Sequence, residues 1–326
     1  MLCLMVFAAP TFAEELTDLP VCDPAKVLTD DKCNKCHQQE IDQWRGTPHY
    51  RTFDSLHRKP EAKEIADKLG LRSVKRNDTC VRCHYTQQEK NGRPRVVAGV
   101  SCESCHGAAQ DWVDIHADYG GQNVTKQQET PEHKRERREK SIRAGMNNPS
   151  NLYLIARQCL GCHTAPDEKL VNVGGHNAGS EGFELVSWSQ GFVRHNFQRT
   201  DGQSNALSNP DRLRVMYLVG LMADLEFSLR AVAKATSGDR YGTTAAERAA
   251  RVKQRLWQAQ RVLKNQQLGQ ALDAVSEVKL TLDNAEAINQ AADKVGKVAL
   301  EFSKESNGAT LEAIDPLLPT PEQYKQ

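Results

Sequence analysis

One five-residue word occurs four times in this chain, and it constrains the fold more than any composition does. It reads Cys33-Asn34-Lys35-Cys36-His37, Cys80-Val81-Arg82-Cys83-His84, Cys102-Glu103-Ser104-Cys105-His106 and Cys159-Leu160-Gly161-Cys162-His163. Two residues between the cysteines let one helical turn present both sulfurs and the following imidazole to a single edge of a flat ring. That is the attachment site of a c-type haem, with thioethers to the thiols and the histidine as proximal iron ligand. Two Cys-x-x-Cys pairs alone suit zinc, and one alone suits a redox dithiol, but neither demands a histidine after every pair. Histidine is 10 of 326 residues, so four such coincidences have a chance of roughly one in a million. The expectation is four covalent c-type haems.

Aromatic residues are 6% and hydrophobics 39% of the chain, modest for a protein that builds its core from side chains alone. Four haems supply the missing apolar surface, so the motif-bearing part is expected to be mainly α, loop-rich and cofactor-cored. The formal net charge of +1 argues neither for nucleic acid nor for an acidic membrane surface as partner, and no nucleic-acid partner is expected. Residues 1–13 carry a short apolar run ending at Thr11-Phe12-Ala13, the pattern of a signal peptide lacking its basic start. The run is too short to span a bilayer, and no later stretch is long enough. The expected location is therefore periplasmic. Of ten cysteines, eight lie in the motifs; Cys3 leaves with the signal, and Cys22 reads as a small buried residue rather than a disulfide partner or ligand.

Along the chain, residues 14–206 read as the haem domain and 207–326 as a separate unit. Gln38–Trp44 continues the first motif as a short helix that Pro48 breaks, and a second helix is expected over Glu61–Leu71 with Gly70 near its end. The second and third motifs are separated by a turn at Gly92–Pro94, and their closeness in sequence suggests neighbouring haems. Residues 125–145 are highly charged and read as a solvated helix or, more sharply, as a docking face for an acidic redox partner.

Asn209 as cap and Pro210 at the first helical position open a helix whose apolar stripe is Val215, Leu218, Met222, Leu225, Leu229 and Val232. Gly238 and Gly242 are expected to close it. Thr244–Glu247 has the form of a capping box for a second helix, with Ala249, Val252, Leu256, Ala259 and Leu263 on one face. Two shorter patterns follow around Leu272–Val278 and Ile288–Phe302. This reads as an antiparallel helical bundle with no Cys or His. Its stripes form its own core, pack on the haem domain, or face a second subunit. Deleting it is expected to leave the haems intact.

Six histidines lie outside the motifs, at 49, 57, 116, 133, 176 and 195, and each haem iron has one further axial seat. His57 and His133 sit in charged stretches and read as surface residues. His49 beside a proline, His116 near Trp112 and a diglycine, and His195 between Val193 and Phe197 are better placed as ligands. Met146 is a weaker candidate.

The stretches KCNKCHQQEIDQWRGTPHYRTF, DTCVRCH, GVSCESCHGAAQDWVDIH, RQCLGCH and FELVSWSQGFVRHNF together resemble the tetrahaem cytochrome c-554 family of ammonia-oxidising bacteria, over about residues 30–200. The resemblance implies a mostly helical fold with closely stacked haem pairs and a periplasmic electron carrier. It also implies that His116 completes the His37 haem, His195 the His106 haem and His49 the His163 haem. In the family the second haem, here that of His84, is five-coordinate. This chain, however, offers His176 between Gly174-Gly175 and Gly179, where glycines let a backbone loop approach a flat cofactor. His176 is therefore expected to fill the fourth seat. The resulting expectation is a relay between redox partners: a periplasmic enzyme, another cytochrome or a quinone-linked membrane cytochrome. The alternative is an oxidoreductase acting on hydroxylamine, nitrite or nitric oxide at an open haem.

Overall fold

The structure, a computed structural model, describes residues 22–326. The signal-peptide reading and Cys3 lie outside the described residues. Fifteen α-helices, six short 3-10 turns and one hairpin are described. The first half holds α1 (Asp30–Cys33), α2 (Gln38–Arg45), α3 (Pro48–Ser55), α4 (Pro60–Lys68) and α5 (Asp78–His84). It continues with strands β1 (Thr86–Lys90) and β2 (Arg93–Ala98), then α6 (Cys102–His106), α7 (Val113–Ala117) and α8 (Pro131–Arg143). Next come α9 (Leu152–His163), α10 (Glu168–Asn172) and α11 (Leu185–Ser189), then α12 (Pro210–Lys234), α13 (Arg240–Leu263), α14 (Gln266–Asp273) and α15 (Ala285–Glu305). The fold is mainly α, loop-rich toward the N-terminus and helical toward the C-terminus, as the patterning predicts.

Local chemistry accounts for the boundaries. Pro48 ends one helix but also opens the next, because Thr47 caps α3 by accepting from the Tyr50 amide and proline suits the first helical position. Asn209 caps α12 in the same way through the Arg212 amide. The stretch between the second and third motifs is an antiparallel hairpin, which the apolar residues there did not announce. Its signature was the Asn91-Gly92 pair, whose φ values of 54° and 69° are the left-handed conformations that a tight hairpin turn demands.

Two helical boundaries differ from expectation. α13 begins at Arg240 with Asp239 as its cap, so Thr244 and Glu247 lie inside a helix rather than at its start. Gly242 does not close α12; it lies within α13, where a Cβ would stand 2.9 Å from the Ser237 carbonyl and 3.0 Å from Ala235. The turn before α13 folds back onto its first turn, and only glycine leaves room.

The striped residues of α12 are all buried, but so is most of the rest of that helix from Arg214 to Val232. It is the central rod of the C-terminal region, wrapped by α9, α11, α13 and α15. Only five residues, 235–239, join α12 to α13, so these two long helices run antiparallel. On α13, Ala249, Val252, Leu256 and Ala259 are buried as expected, while Leu263 is only half-buried. α15 runs 21 residues, longer than its sequence pattern suggests.

The packing does not respect a division at residue 206. One continuous apolar core runs from Leu152 to Tyr324 and includes Leu152, Tyr153, Ala156 and Leu160 of α9, the helix that ends in the fourth motif. The N-terminal part has a much smaller cluster of Ala66, Val74, Cys80, Val81 and Tyr85 beside the second motif. The helices after 209 are thus joined to the motif-bearing part through α9.

Candidate haem-binding site

Each of the four motif histidines faces a histidine from elsewhere in the chain. Ring centres are 6.3 Å apart for His37 and His116, and 6.2 Å apart for His49 with His163, His84 with His176, and His106 with His195. A metal–nitrogen bond of about 2 Å and about 1.2 Å from that nitrogen to its ring centre put two axial imidazoles on one iron roughly 6 to 6.5 Å apart. The eight rings therefore stand at the separation that a shared metal requires, and too far apart for direct stacking contact. All four distal candidates from the sequence are brought to motif histidines, each to a different one.

The ring nitrogens are arranged consistently with this. Nδ1 of His163 meets Ser180 Oγ at 2.6 Å, that of His176 the Asn177 carbonyl at 2.8 Å, and that of His195 the Val193 carbonyl at 2.7 Å. His106 Nδ1 faces the Asn147 carbonyl at 3.4 Å, His116 Nδ1 bonds the Val113 carbonyl, and His37 Nδ1 lies 3.8 Å from Glu40. A partner on Nδ1 fixes the tautomer and leaves Nε2 as the free donor for a metal. Burial, reinforced by the facing ring, pushes His84 and His106 down to about 4, and burial pushes His163 down to about 3. Each of these rings is neutral at ordinary pH, the form that binds metal. Among the described residues no group of three or more His, Cys, Asp or Glu could hold a bare ion. The donor set is two histidines per site with a cysteine pair beside it, which fits haem and not zinc.

Helices place the motifs. α5 and α9 end on His84 and His163, and α6 ends on His106, while His37 follows α1 by one turn. α6 is started by a capping box in which Ser101 and Ser104 serve each other's backbone. Thr86 Oγ1 ties the exit of the second motif to Ser101 and Ser104 at 2.9 and 2.7 Å. The nearest thiols, however, cross this sequence order: Cys33 meets Cys102, and Cys83 meets Cys162. Cys105 lies within electrostatic reach of Cys159 and Cys162. The second motif thus has two neighbours: its Cys83 thiol meets the fourth motif, while the hairpin pairs Thr86 with Ala98 and so brings the exit of the second motif beside the entry of the third.

Two of the glycines around His176 take left-handed backbone conformations, and one is pressed against the fourth motif. Gly175 and Gly179 have φ of 80° and 95°, and a Cβ on Gly179 would stand 2.8 Å from the His163 carbonyl. His49 and His163 lie in an aromatic nest of Phe183, Trp188 and Phe192, with Phe183 stacked on His163 at 4.6 Å. The C-terminal tail lies over this nest, since Lys325 donates to the Ser187 carbonyl and accepts from the Phe192 amide. His133 is not paired with a motif. Its Nδ1 meets Glu129 at 2.9 Å, in a carboxylate that Arg137 clamps through two bonds of 2.6 Å. Met146 sulfur accepts from Asn148. Cys22 is half-buried and free, its thiol pushed up to about 12 by burial and by Glu103.

Sequence reasoning did not single out Ser180, Asn147 or Arg248, each of which supports a motif histidine. Arg248 on α13 donates from Nη1 to the His163 carbonyl at 3.0 Å and pairs with Asp224 at 2.6 Å.

Residues 32–107 match the family described as cytochrome c554 and c-prime. Over 97 residues the chain is 31% identical to cytochrome c-554 of Nitrosomonas europaea, a match covering 27% of this chain and 41% of that protein. The chain thus matches about two-fifths of the length of this curated relative. No solved structure matches.

Proposed function

We propose that this protein is a c-type multihaem electron-transfer protein. In this reading Cys33, Cys36, Cys80, Cys83, Cys102, Cys105, Cys159 and Cys162 attach four haems, and the irons sit between His37 and His116, His84 and His176, His106 and His195, and His163 and His49. The observation that carries it is the repetition of one ring separation, 6.2 to 6.3 Å, at all four motifs. The match of the N-terminal part to the cytochrome c554 family supports it. Haem iron, when bound, supplies a one-electron couple. The chain's own residues orient the imidazoles, and pack the motifs so that their thiols follow one series in space: first, third, fourth, second.

Two axial histidines at every site leave no seat for a substrate, which favours a relay over the reduction or oxidation of a small nitrogen compound. The location we infer is periplasmic, and the partners are redox proteins on either side of the relay. Among the described residues no helix is long and apolar enough to cross a membrane.

Electron paramagnetic resonance of the oxidised holoprotein, with carbon monoxide binding by its reduced form, tests this. The expected result is four low-spin haems and no carbon monoxide bound, with one high-spin haem and one bound carbon monoxide appearing in His176→Ala. A stoichiometric high-spin signal that is the same in both proteins refutes the bis-histidine assignment at His84 and restores the enzyme reading.

A further inference from the structure

Three arginines lie within electrostatic reach of one another. Arg138 lies on α8, Arg199 ends the short turn Phe197–Arg199 just after His195, and Arg212 lies in the first turn of α12. Arg138 and Arg199 are exposed and Arg212 is half-buried. Among the described residues none of the three has an ion pair. The nearby carboxylates are already engaged: Glu129 by Arg137 and His133, and Asp201 by Lys126 at 2.9 Å. Burial, with Arg199 and Arg138 within electrostatic reach, brings Arg212 down to about 9. Guanidinium groups within electrostatic reach repel one another, and an anion among them relieves that repulsion.

The surroundings say which anion. Arg212 Nη2 donates to the Pro149 carbonyl at 2.8 Å. Two residues earlier, Asn147 brackets the third motif: its amide donates to the His106 carbonyl at 2.8 Å and its Nδ2 to the Cys105 carbonyl at 3.2 Å. Arg199 follows His195, the ring facing His106 at 6.2 Å. Arg212 is therefore linked to the proximal motif of one site through hydrogen bonds, and Arg199 stands four residues after the distal histidine of that same site. Arg138 adjoins Arg137, which donates to the His116 carbonyl at the neighbouring site. A c-type haem carries paired propionate carboxylates at one edge, and a planar guanidinium binds a carboxylate through two parallel hydrogen bonds.

We propose that Arg138, Arg199 and Arg212 form an anion site that holds the propionate carboxylates of the haem between His106 and His195. The inference rests on the bis-histidine reading above. A cation beside a propionate favours the reduced iron, so removing it lowers that haem's midpoint potential.

The test uses the full-length holoprotein as wild type, Arg199→Gln, Arg212→Gln and Arg199→Lys. Intact mass reports the number of haems, and spectroelectrochemistry follows the midpoint potentials. Each glutamine variant is expected to keep its full haem count while one midpoint falls. The expected fall is about tenfold in the reduction equilibrium, ~59 mV for a one-electron couple. It should be the same midpoint that moves in His195→Met, and Arg199→Lys should retain most of the wild-type value. Unmoved midpoints at full haem count overturn the proposal, as does an equal shift of all four. A wild-type midpoint that responds to inorganic phosphate at constant ionic strength assigns the site to free anions and likewise overturns it. If His195→Met itself moves no midpoint, the axial assignment fails, and that failure is separate.

Discussion

Replacing Arg248 by methionine should reveal how firmly the helices after residue 209 are joined to the fourth motif. Arg248 forks onto Asp224 with Nε–Oδ1 and Nη2–Oδ2 distances of 2.6 and 3.1 Å, and its Nη1 reaches back to the His163 carbonyl at 3.0 Å. The two side chains are only 10% and 9% exposed, so water does not compensate for a lost partner. Methionine keeps most of the apolar bulk but leaves Asp224 buried, with Ser228 as its remaining hydrogen-bond donor at 3.1 Å. Removing one member of a buried pair costs about 3–5 kcal/mol, and the lost hydrogen bond to the carbonyl adds ~1 kcal/mol. Guanidinium unfolding of the holoprotein, followed by far-ultraviolet circular dichroism, should show that loss as a lower midpoint at unchanged slope. The double variant Arg248→Met with Asp224→Leu should recover much of it, because apolar side chains can replace a buried pair at little net cost. A loss below about 1 kcal/mol, the range of exposed pairs, refutes the reasoning.

Under the four-haem assignment proposed above, truncation after residue 206 should lower the yield of protein carrying the fourth haem, since α9 loses the apolar partners that bury Leu152, Tyr153 and Leu160; intact mass showing undiminished four-haem protein would contradict this. Leu160→Ala, at a fully buried position between the motif cysteines, should cost about 2–5 kcal/mol in the same unfolding assay without removing a haem. The Glu129–Arg137 clamp makes a pH prediction. Hydrogen bonding from the Arg137 guanidinium holds Glu129 down to about 2 from an ordinary 4.5. A depressed folded-state value contributes stability that is present above about 4.5 and lost as pH falls toward 2. Arg137→Gln should therefore be less stable than wild type at pH 7, with the difference shrinking as unfolding is repeated at pH 4 and pH 3; a difference independent of pH would show that the clamp is not electrostatic.

Much of the site was legible because its chemistry is written in contiguous residues. Cys-x-x-Cys-His needs no tertiary structure to be recognised, and the Pro, Trp and Gly contexts of His49, His116 and His176 hold in the fold. What local sequence could not show was which motifs meet. The Asn91-Gly92 hairpin keeps the exit of the second motif beside the third, yet the thiol that Cys83 meets is Cys162, 79 residues further along the chain. The α12 stripe was read correctly yet understated the burial. Asp224, Glu226 and Ser228 look like solvent-facing positions by residue type, and all three are buried with partners. Periodicity records only which residues are apolar; it cannot see that a charged residue has been supplied with an opposite charge from another helix.

The same buried charges explain why a helical region with no cysteine or histidine belongs with the part that carries the four motifs. Glu226 of α12 accepts from Tyr153 of α9 at 2.6 Å and pairs with Arg230 at 2.8 Å, which also meets Asp293 of α15 at 2.8 Å. Asp224 on the same helix orients Arg248 toward His163. Apolar packing alone would allow α9 to slide or rotate on α12 at modest cost, whereas buried hydrogen-bonded charges are satisfied in one register and costly in any other. α9 ends in Cys159, Cys162 and His163, so fixing its register fixes where that histidine stands relative to His49. The C-terminal helices thus contribute to the fourth site by position rather than by ligands. An axial pair tolerates little displacement, and a rigid helical support meets that requirement where the loop-rich N-terminal part, with its small apolar cluster, could not.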